Sequence, residues 1–211
     1  EDDDCTTGLE ATFSDATVDG PCAGSKIITR TWSLNDGCGN VLTQNQIITV
    51  SDTLIPVFPR PDDVTLTTEN GADCPSPASI SLTADQVNPV ATGNTPFTFT
   101  VHGVAQDGPT VYSDNCTDAD DLKLFVWAIN EDFDGNADDC YRQIRVTWRV
   151  YDDCGNFRPR QQFFTILENT PPSITCPDDV TVNCEDSQLP AATGEATATD
   201  NCDPAPEVTS S

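Results

Sequence analysis

Ile144, Val146, Trp148 and Val150 alternate with Arg145, Thr147, Arg149 and Tyr151. A period of two puts the first set on a core and the second towards solvent, so residues 144–151 read as a half-buried strand. Ile28, Trp32 and Leu34 repeat the alternation, with Arg30 as the exception. Each run ends in the same signature, "LNDGCGNV" at 34–41 and "YDDCGNF" at 151–157, with the cysteine six residues past the tryptophan. "CGN" reads as a turn, and "NVLTQNQIITV" or "NFRPRQQFFTIL" follows as the returning strand of a hairpin. "TPFTFTVHGVA", residues 95–105, reads as a further strand or hairpin. No stretch shows a helical period.

The resemblance between the two hairpins extends along the chain. An acidic cluster ending in cysteine occurs at "EDDDC" (Cys5), "YSDNC" (Cys116) and "TATDNC" (Cys202). A linker and strand recur as "SDTLIPVFPRPDDVTL" and "ENTPPSITCPDDVTV". Repetition of this kind predicts an array of similar modules. The register gives the later part of a repeat over 1–50, a complete repeat over 51–168 and the early part of another over 169–211. The complete copy carries an insertion around 75–112. The expectation is either a window on a longer array or a chain whose ends are completed by neighbours, since a lone half-module exposes strand edges and an apolar face.

Short strands, frequent proline and glycine, and repeats of this size predict an all-β fold of tandem immunoglobulin-like β-sandwiches, stapled by disulfides. Both tryptophans fit as core plugs. The ten cysteines lack zinc-ligand spacing and His102 is the sole histidine. Disulfides and an oxidising, extracellular or cell-surface location are therefore expected. Sandwich topology places Cys140 at the bottom of its module and Cys154 at the top, 14 residues apart or roughly 45 Å if extended, beyond disulfide reach. The expected bridges are Cys5–Cys38 and Cys116–Cys154 at the tops, and Cys74–Cys140 at the bottom.

Charge narrows the partners. The chain has 35 acidic and 9 basic residues, a net charge of −26. That disfavours nucleic acid and anionic membranes and favours divalent cations. No apolar run is long enough to span a bilayer, so direct membrane insertion is not expected. The module tops should gather Asp52 from the linker, Asp114, and Asp152, Asp153 and Asn156 from the turn. The set recurs with Asn169 and Asp200. Calcium takes such oxygen ligands, and a site there would stiffen one module against the next. A stapled turn, whose Asp and Asn satisfy local amides, is the competing explanation. A second candidate loop, "NEDFDGNADD", sets Asp132, Asp134, Asn136 and Asp138 at alternate positions around Gly135, without the terminal Glu or flanking helices of an EF-hand.

"TPPSITCPDDVTVNC", "ATATDNCDPAPEVT" and "TRTWSLNDGCGN" resemble hyalin-type (HYR-like) immunoglobulin-fold repeats, in particular the tandem arrays of Bacteroidota surface adhesins, including gliding-motility adhesins exported by type IX secretion. The similarity covers 1–70 and 110–211; the insertion at 75–112 and the loop at 128–140 depart from it. It implies a secreted, multi-repeat stalk or adhesive filament for cell adhesion, without catalytic residues, whose partners are neighbouring repeats and possible surface glycans or substratum. "DTL" at 52–54 resembles the Bacteroidota O-glycosylation pattern, with Thr53 as acceptor. Two other functions compete: a self-polymerising fibre subunit completed by strand addition between chains, and a carbohydrate-binding module. No nucleophile elbow, phosphate loop or zinc motif occurs, so an enzyme is not expected.

Overall fold

The computed structural model describes residues 8–70, 72, 74, 80–131 and 141–209. The fold is mostly β, and its sheets follow the chain in order. The first is antiparallel: β1 (Thr12–Asp19), β2 (Lys26–Asn35) and β3 (Val41–Val50), in that spatial order. The second begins with β4 (Val64–Thr67) and β5 (Ala91–Thr92). A separate hairpin, β6 (Thr98–Val101) and β7 (Val104–Asp107), lies within the insertion, as its sequence suggested. The long strands β8 (Lys123–Glu131), β9 (Tyr141–Tyr151) and β10 (Phe157–Leu167) complete a five-stranded sheet ordered β4-β10-β9-β8-β5. β4 runs parallel to β10; the other pairs are antiparallel. The last region holds a pair, β11 (Ser173–Thr175) with β12 (Thr197–Thr199), and a one-turn helix α1 (Pro190–Thr193).

The alternation in β9 is the seed of the core. Ile144, Val146, Trp148 and Val150 are all fully buried, while the intervening side chains are half-buried. Phe164 and Ile166 on β10 and Leu124 and Val126 on β8 extend the same face. The insertion covers it. Phe99 meets Trp148 and Phe164 at ring centroids 6.0 and 5.7 Å apart, and Phe97 meets Trp148 at 6.2 Å. Phe58 and Tyr112 close one side edge to face. The alternating Phe97 and Phe99 are thus core residues. A bulge between Val126 and Ala128 displaces Trp127 from the alternation. The Arg149 guanidinium then sits 3.5 Å from the Trp127 ring centre and 4.5 Å from that of Phe157.

The first sheet repeats β9 and β10 with an offset of 116 residues. Trp32 stands for Trp148, Gln46 for Gln162, and Ile48 and Val50 for Phe164 and Ile166. Even the tryptophan hydrogen bond is copied: Trp32 Nε1 donates to Gln46 Oε1 at 3.2 Å, and Trp148 Nε1 to Gln162 Oε1 at 3.0 Å. The surroundings differ. Trp148 is 0% exposed and Trp32 36%. Trp32 is therefore a core plug by position without a second layer over it among the described residues.

The disulfides correct the sequence-based pairing. Cys154 bonds Cys22, and Cys74 bonds Cys202. Cys116–Cys154 and Cys74–Cys140 are therefore not the pairs formed, and Cys38 and Cys116 are free thiols. Cys5 and Cys140 lie outside the described residues. The expectation kept every bridge inside one module. The structure instead sets the bottom loop of one repeat against the top of the next, so bottom and top cysteines meet across the junction. Gly24 shows how closely: with φ of +73°, its position would bring a Cβ within 2.7 Å of Cys116 Cβ. Only glycine allows that conformation and that approach.

Candidate metal centre at the repeat junction

Each of the two CGN turns is built around an aspartate. Asp152 Oδ1 accepts from Asn156 N–H at 2.8 Å and its Oδ2 from Asn156 Nδ2 at 2.8 Å. Asp36 plays the same part in the first hairpin, accepting from the N–H groups of Cys38 and Asn40 and from Asn40 Nδ2. Hydrogen bonds from the Asn40 side chain, then its backbone, hold the Asp36 carboxyl below the usual range. The glycine between, Gly39 or Gly155, has positive φ and closes the turn. Asp and Asn therefore satisfy the local amides in both turns, but only the second is stapled: Cys154 is bridged to Cys22, whereas Cys38 is a free thiol.

Among the described residues, the second turn adds something the first does not show. Asp152 is only 4% exposed, and two more carboxylates converge on it. Asp114 comes from the loop before β8; its Oδ2 caps that loop by accepting from Cys116 and Thr117 N–H at 2.9 and 3.0 Å. Asp52 comes from the connection between β3 and β4; its Oδ1 accepts from Leu54 N–H at 3.0 Å. One oxygen from each of Asp52, Asp114 and Asp152 lies within 4.8 Å of the others. Local turns use one oxygen of Asp52 and of Asp114. The second oxygens, Asp52 Oδ2 and Asp114 Oδ1, are buried and accept no hydrogen bond. Buried acceptors left unpaired are costly, and a shared cation would satisfy them together. This donor set, all hard oxygens, suits calcium.

The remaining sequence candidates divide. Asn156 is beside the triad, with Nδ2 donating to Asp152 Oδ2 and to the Asp52 carbonyl at 3.2 Å. It thus ties the inter-repeat connection to the turn. Asp153 points elsewhere: its carboxylate is 3.5 Å from Lys123 Nζ. In the last repeat Asp200 copies the loop geometry of Asp114, accepting from the Asp203 and Cys202 N–H groups, whose hydrogen bonds, that of Asp203 first, lower its pKa. Asn169 pairs instead with Glu69, through its Oδ1 to the Glu69 N–H and its Nδ2 to Glu69 Oε2. Among the described residues only Asp52, Asp114 and Asp152 form such a cluster. Asp132, Asp134, Asn136 and Asp138 lie outside the described residues. Thr53 is exposed on the connection beside Asp52.

Sequence reasoning missed Cys22, Gly24 and Thr117. Thr117 is buried and its Oγ1 accepts from Asp153 N–H at 3.2 Å, linking the two loops. The Cys22–Cys154 bond reaches the turn from the preceding repeat, and Cys154 Sγ lies 3.6 Å from the Ala23 carbonyl. Carboxylate cluster and disulfide therefore share one junction. Disulfides of this kind persist in oxidising compartments, and no helix among the described residues is long and apolar enough to cross a membrane. Comparison with family models, characterised proteins and solved structures finds no match.

Proposed function

We propose that this chain is a stalk segment of an extracellular surface adhesin or filament, built from immunoglobulin-like repeats of HYR type and held straight by calcium at the junction between repeats. The observation that carries this reading is the convergence of Asp52, Asp114 and Asp152 within 4.8 Å, next to the inter-repeat disulfide. Asp52 belongs to the connection, whereas Asp114 and Asp152 belong to the repeat body. An ion bound by all three would anchor the connection to the body, and Cys22–Cys154 would clamp the other side. Two separate restraints on one short connection remove the hinge freedom that linked domains otherwise keep. Calcium supplies charge neutralisation here; the chain's own residues supply the shape, through the turns capped by Asp114 and Asp152.

Adhesion itself would then be a matter of reach, with the segment acting as a spacer and its acidic surface as a repellent of anionic surfaces. Small-angle X-ray scattering with calcium and with chelator tests the reading. A longer maximum dimension and a narrower shape distribution with calcium are expected. Identical curves in both conditions would reject calcium as the stiffening agent.

A further inference from the structure

The carboxylate triad and the inter-repeat disulfide meet in one turn. Residues 152–156 carry both Asp152 and Cys154, two positions apart. The turn is tightly closed: Asp152 N–H donates to the Asn156 carbonyl at 3.1 Å, and Gly155 N–H to the Asp152 carbonyl at 3.3 Å. Moving Cys154 therefore moves Asp152.

The other half of the bridge is held as firmly. Cys22 lies in the loop between β1 and β2, which Gly20 N–H closes by donating to the Ser25 carbonyl at 2.9 Å. The buried Ser25 hydroxyl donates to the Cys22 carbonyl at 2.6 Å and accepts from the Cys22 N–H at 3.1 Å. Lys26, the first residue of β2, is paired with Val50, the last of β3. Asp52 follows Val50 by two residues. The disulfide thus fixes the corner of the first sheet from which the connection carrying Asp52 departs. The remaining ligands hang on the same turn. Asp153 N–H donates to Thr117 Oγ1 at 3.2 Å, and Thr117 N–H to Asp114 Oδ2 at 3.0 Å. Asn156 Nδ2 reaches the Asp52 carbonyl at 3.2 Å.

Charge makes this arrangement conditional on the bridge. Without an ion, three carboxylates within 4.8 Å of one another repel. Asp114 and Asp152 belong to one repeat body, so Asp52, on the connection, is the member that can leave. The bridge holds the connection in place against that repulsion. Opening it restores the hinge freedom of linked domains and gives Asp52 a way out.

We propose that the Cys22–Cys154 bond regulates the calcium site: oxidised, it holds Asp52 in register with Asp114 and Asp152, and its reduction releases Asp52 and weakens calcium binding. The proposal rests on the calcium reading of the triad. Linkage makes the coupling reciprocal, so calcium protects the bridge by the same factor by which the bridge strengthens calcium binding. The redox step is exchange with a small-molecule thiol such as glutathione. Its thiolate attacks one sulfur of the bridge, and the other sulfur leaves as a thiolate and takes up a proton. A second glutathione resolves the mixed disulfide, so two cysteine thiols and one glutathione disulfide result. Both cysteines are half-buried, within reach of a dissolved thiol.

The test uses the whole chain. Competition with a chromophoric chelator reads the calcium Kd before and after reduction, and reduction should raise it at least tenfold. Glutathione redox buffers with alkylation and peptide mass spectrometry then read the reduced fraction at each bridge. Saturating calcium should shift the Cys22–Cys154 equilibrium at least tenfold towards the disulfide, about 30 mV for a two-electron couple. Asp114→Asn should remove that shift. Cys74–Cys202 is the internal control: no carboxylate cluster adjoins it among the described residues, and calcium should leave it unmoved. Calcium binding that reduction leaves unchanged would overturn the proposal and leave the calcium reading of the junction standing. Equal shifts at both bridges would also overturn it, since they mark calcium binding to the folded chain as a whole. An oxidised chain that binds no calcium would remove both.

Discussion

Asp52→Asn separates a calcium site from an acidic corner, because the two give opposite thermal signatures. The substitution keeps size and shape and keeps the Oδ1 that accepts from Leu54 N–H. It removes one charge from a cluster whose oxygens lie within 4.8 Å of one another. Two unit charges at that distance repel by about 3.5 kcal/mol at an effective dielectric near 20. Asp52 takes part in two such pairs, but it and Asp114 are half-buried, and solvent screening reduces the relief to about 1–3 kcal/mol. In chelator, Asp52→Asn should therefore melt several degrees above the wild type. With calcium at about a hundred times its dissociation constant, the wild type gains about 2.7 kcal/mol. For a unit of this size that is roughly a 10 °C rise in Tm. The variant should lose most of that rise, so the two melting curves exchange order between chelator and calcium. Calorimetry or circular dichroism under non-reducing conditions reads both. A wild type without a calcium shift, or an Asp52→Asn protein that keeps the full shift, would refute the reasoning.

The two tryptophans should behave differently despite equivalent positions. Trp148→Ala empties a sealed core and should cost about 3–5 kcal/mol, whereas Trp32→Ala, at a partly exposed site, should cost under about half of that by urea denaturation; equal costs would contradict the uncovered first face. A Cys22→Ser, Cys154→Ser double variant opens a loop of 132 residues, and chain entropy puts the loss at about 5 kcal/mol; an unchanged urea midpoint would contradict the inter-repeat bridge. With calcium present, acid should destabilise the protein. The Arg60 hydrogen bond holds Asp63 below its usual pKa, the Asn40 side chain does so for Asp36 and the Asn88 side chain for Asp85. Carboxyls depressed in the folded state stabilise above their unfolded pKa of about 3.9 and lose that contribution as pH falls through the folded values. Unfolding free energy should thus fall below about pH 4, and equal stability at pH 7 and pH 2.5 would contradict it.

Much of the fold was legible because it is written in local pattern. The alternation 144–150 became β9 with every predicted apolar residue buried, and the CGN turn became the β9–β10 connection. Residues 95–105 gave the expected hairpin. The carboxylate triad was legible for the same reason: repeated turns fix which aspartates sit at one end of a repeat. The adjacent Asp153 illustrates the limit, since a neighbouring aspartate projects to Lys123 instead. The disulfides were not legible. Local pattern places each cysteine at the top or bottom of its own repeat, but partner choice depends on how two repeats stack, a long-range property with no local signature. Gly24 was the one available signal, a glycine two residues after Cys22 that permits the close approach to Cys116. The exposure of Trp32 escaped for a similar reason, because an apolar period reports the side a strand would bury and not what covers it.

Titration calorimetry of calcium into the disulfide-intact chain tests the central claim most directly. The account predicts saturable binding whose highest-affinity site disappears in Asp114→Asn, since that change removes the charge beside the unpaired Asp114 Oδ1 while keeping the Oδ2 that caps the loop. Absence of saturable binding at millimolar calcium, or binding indifferent to Asp114→Asn, would contradict it.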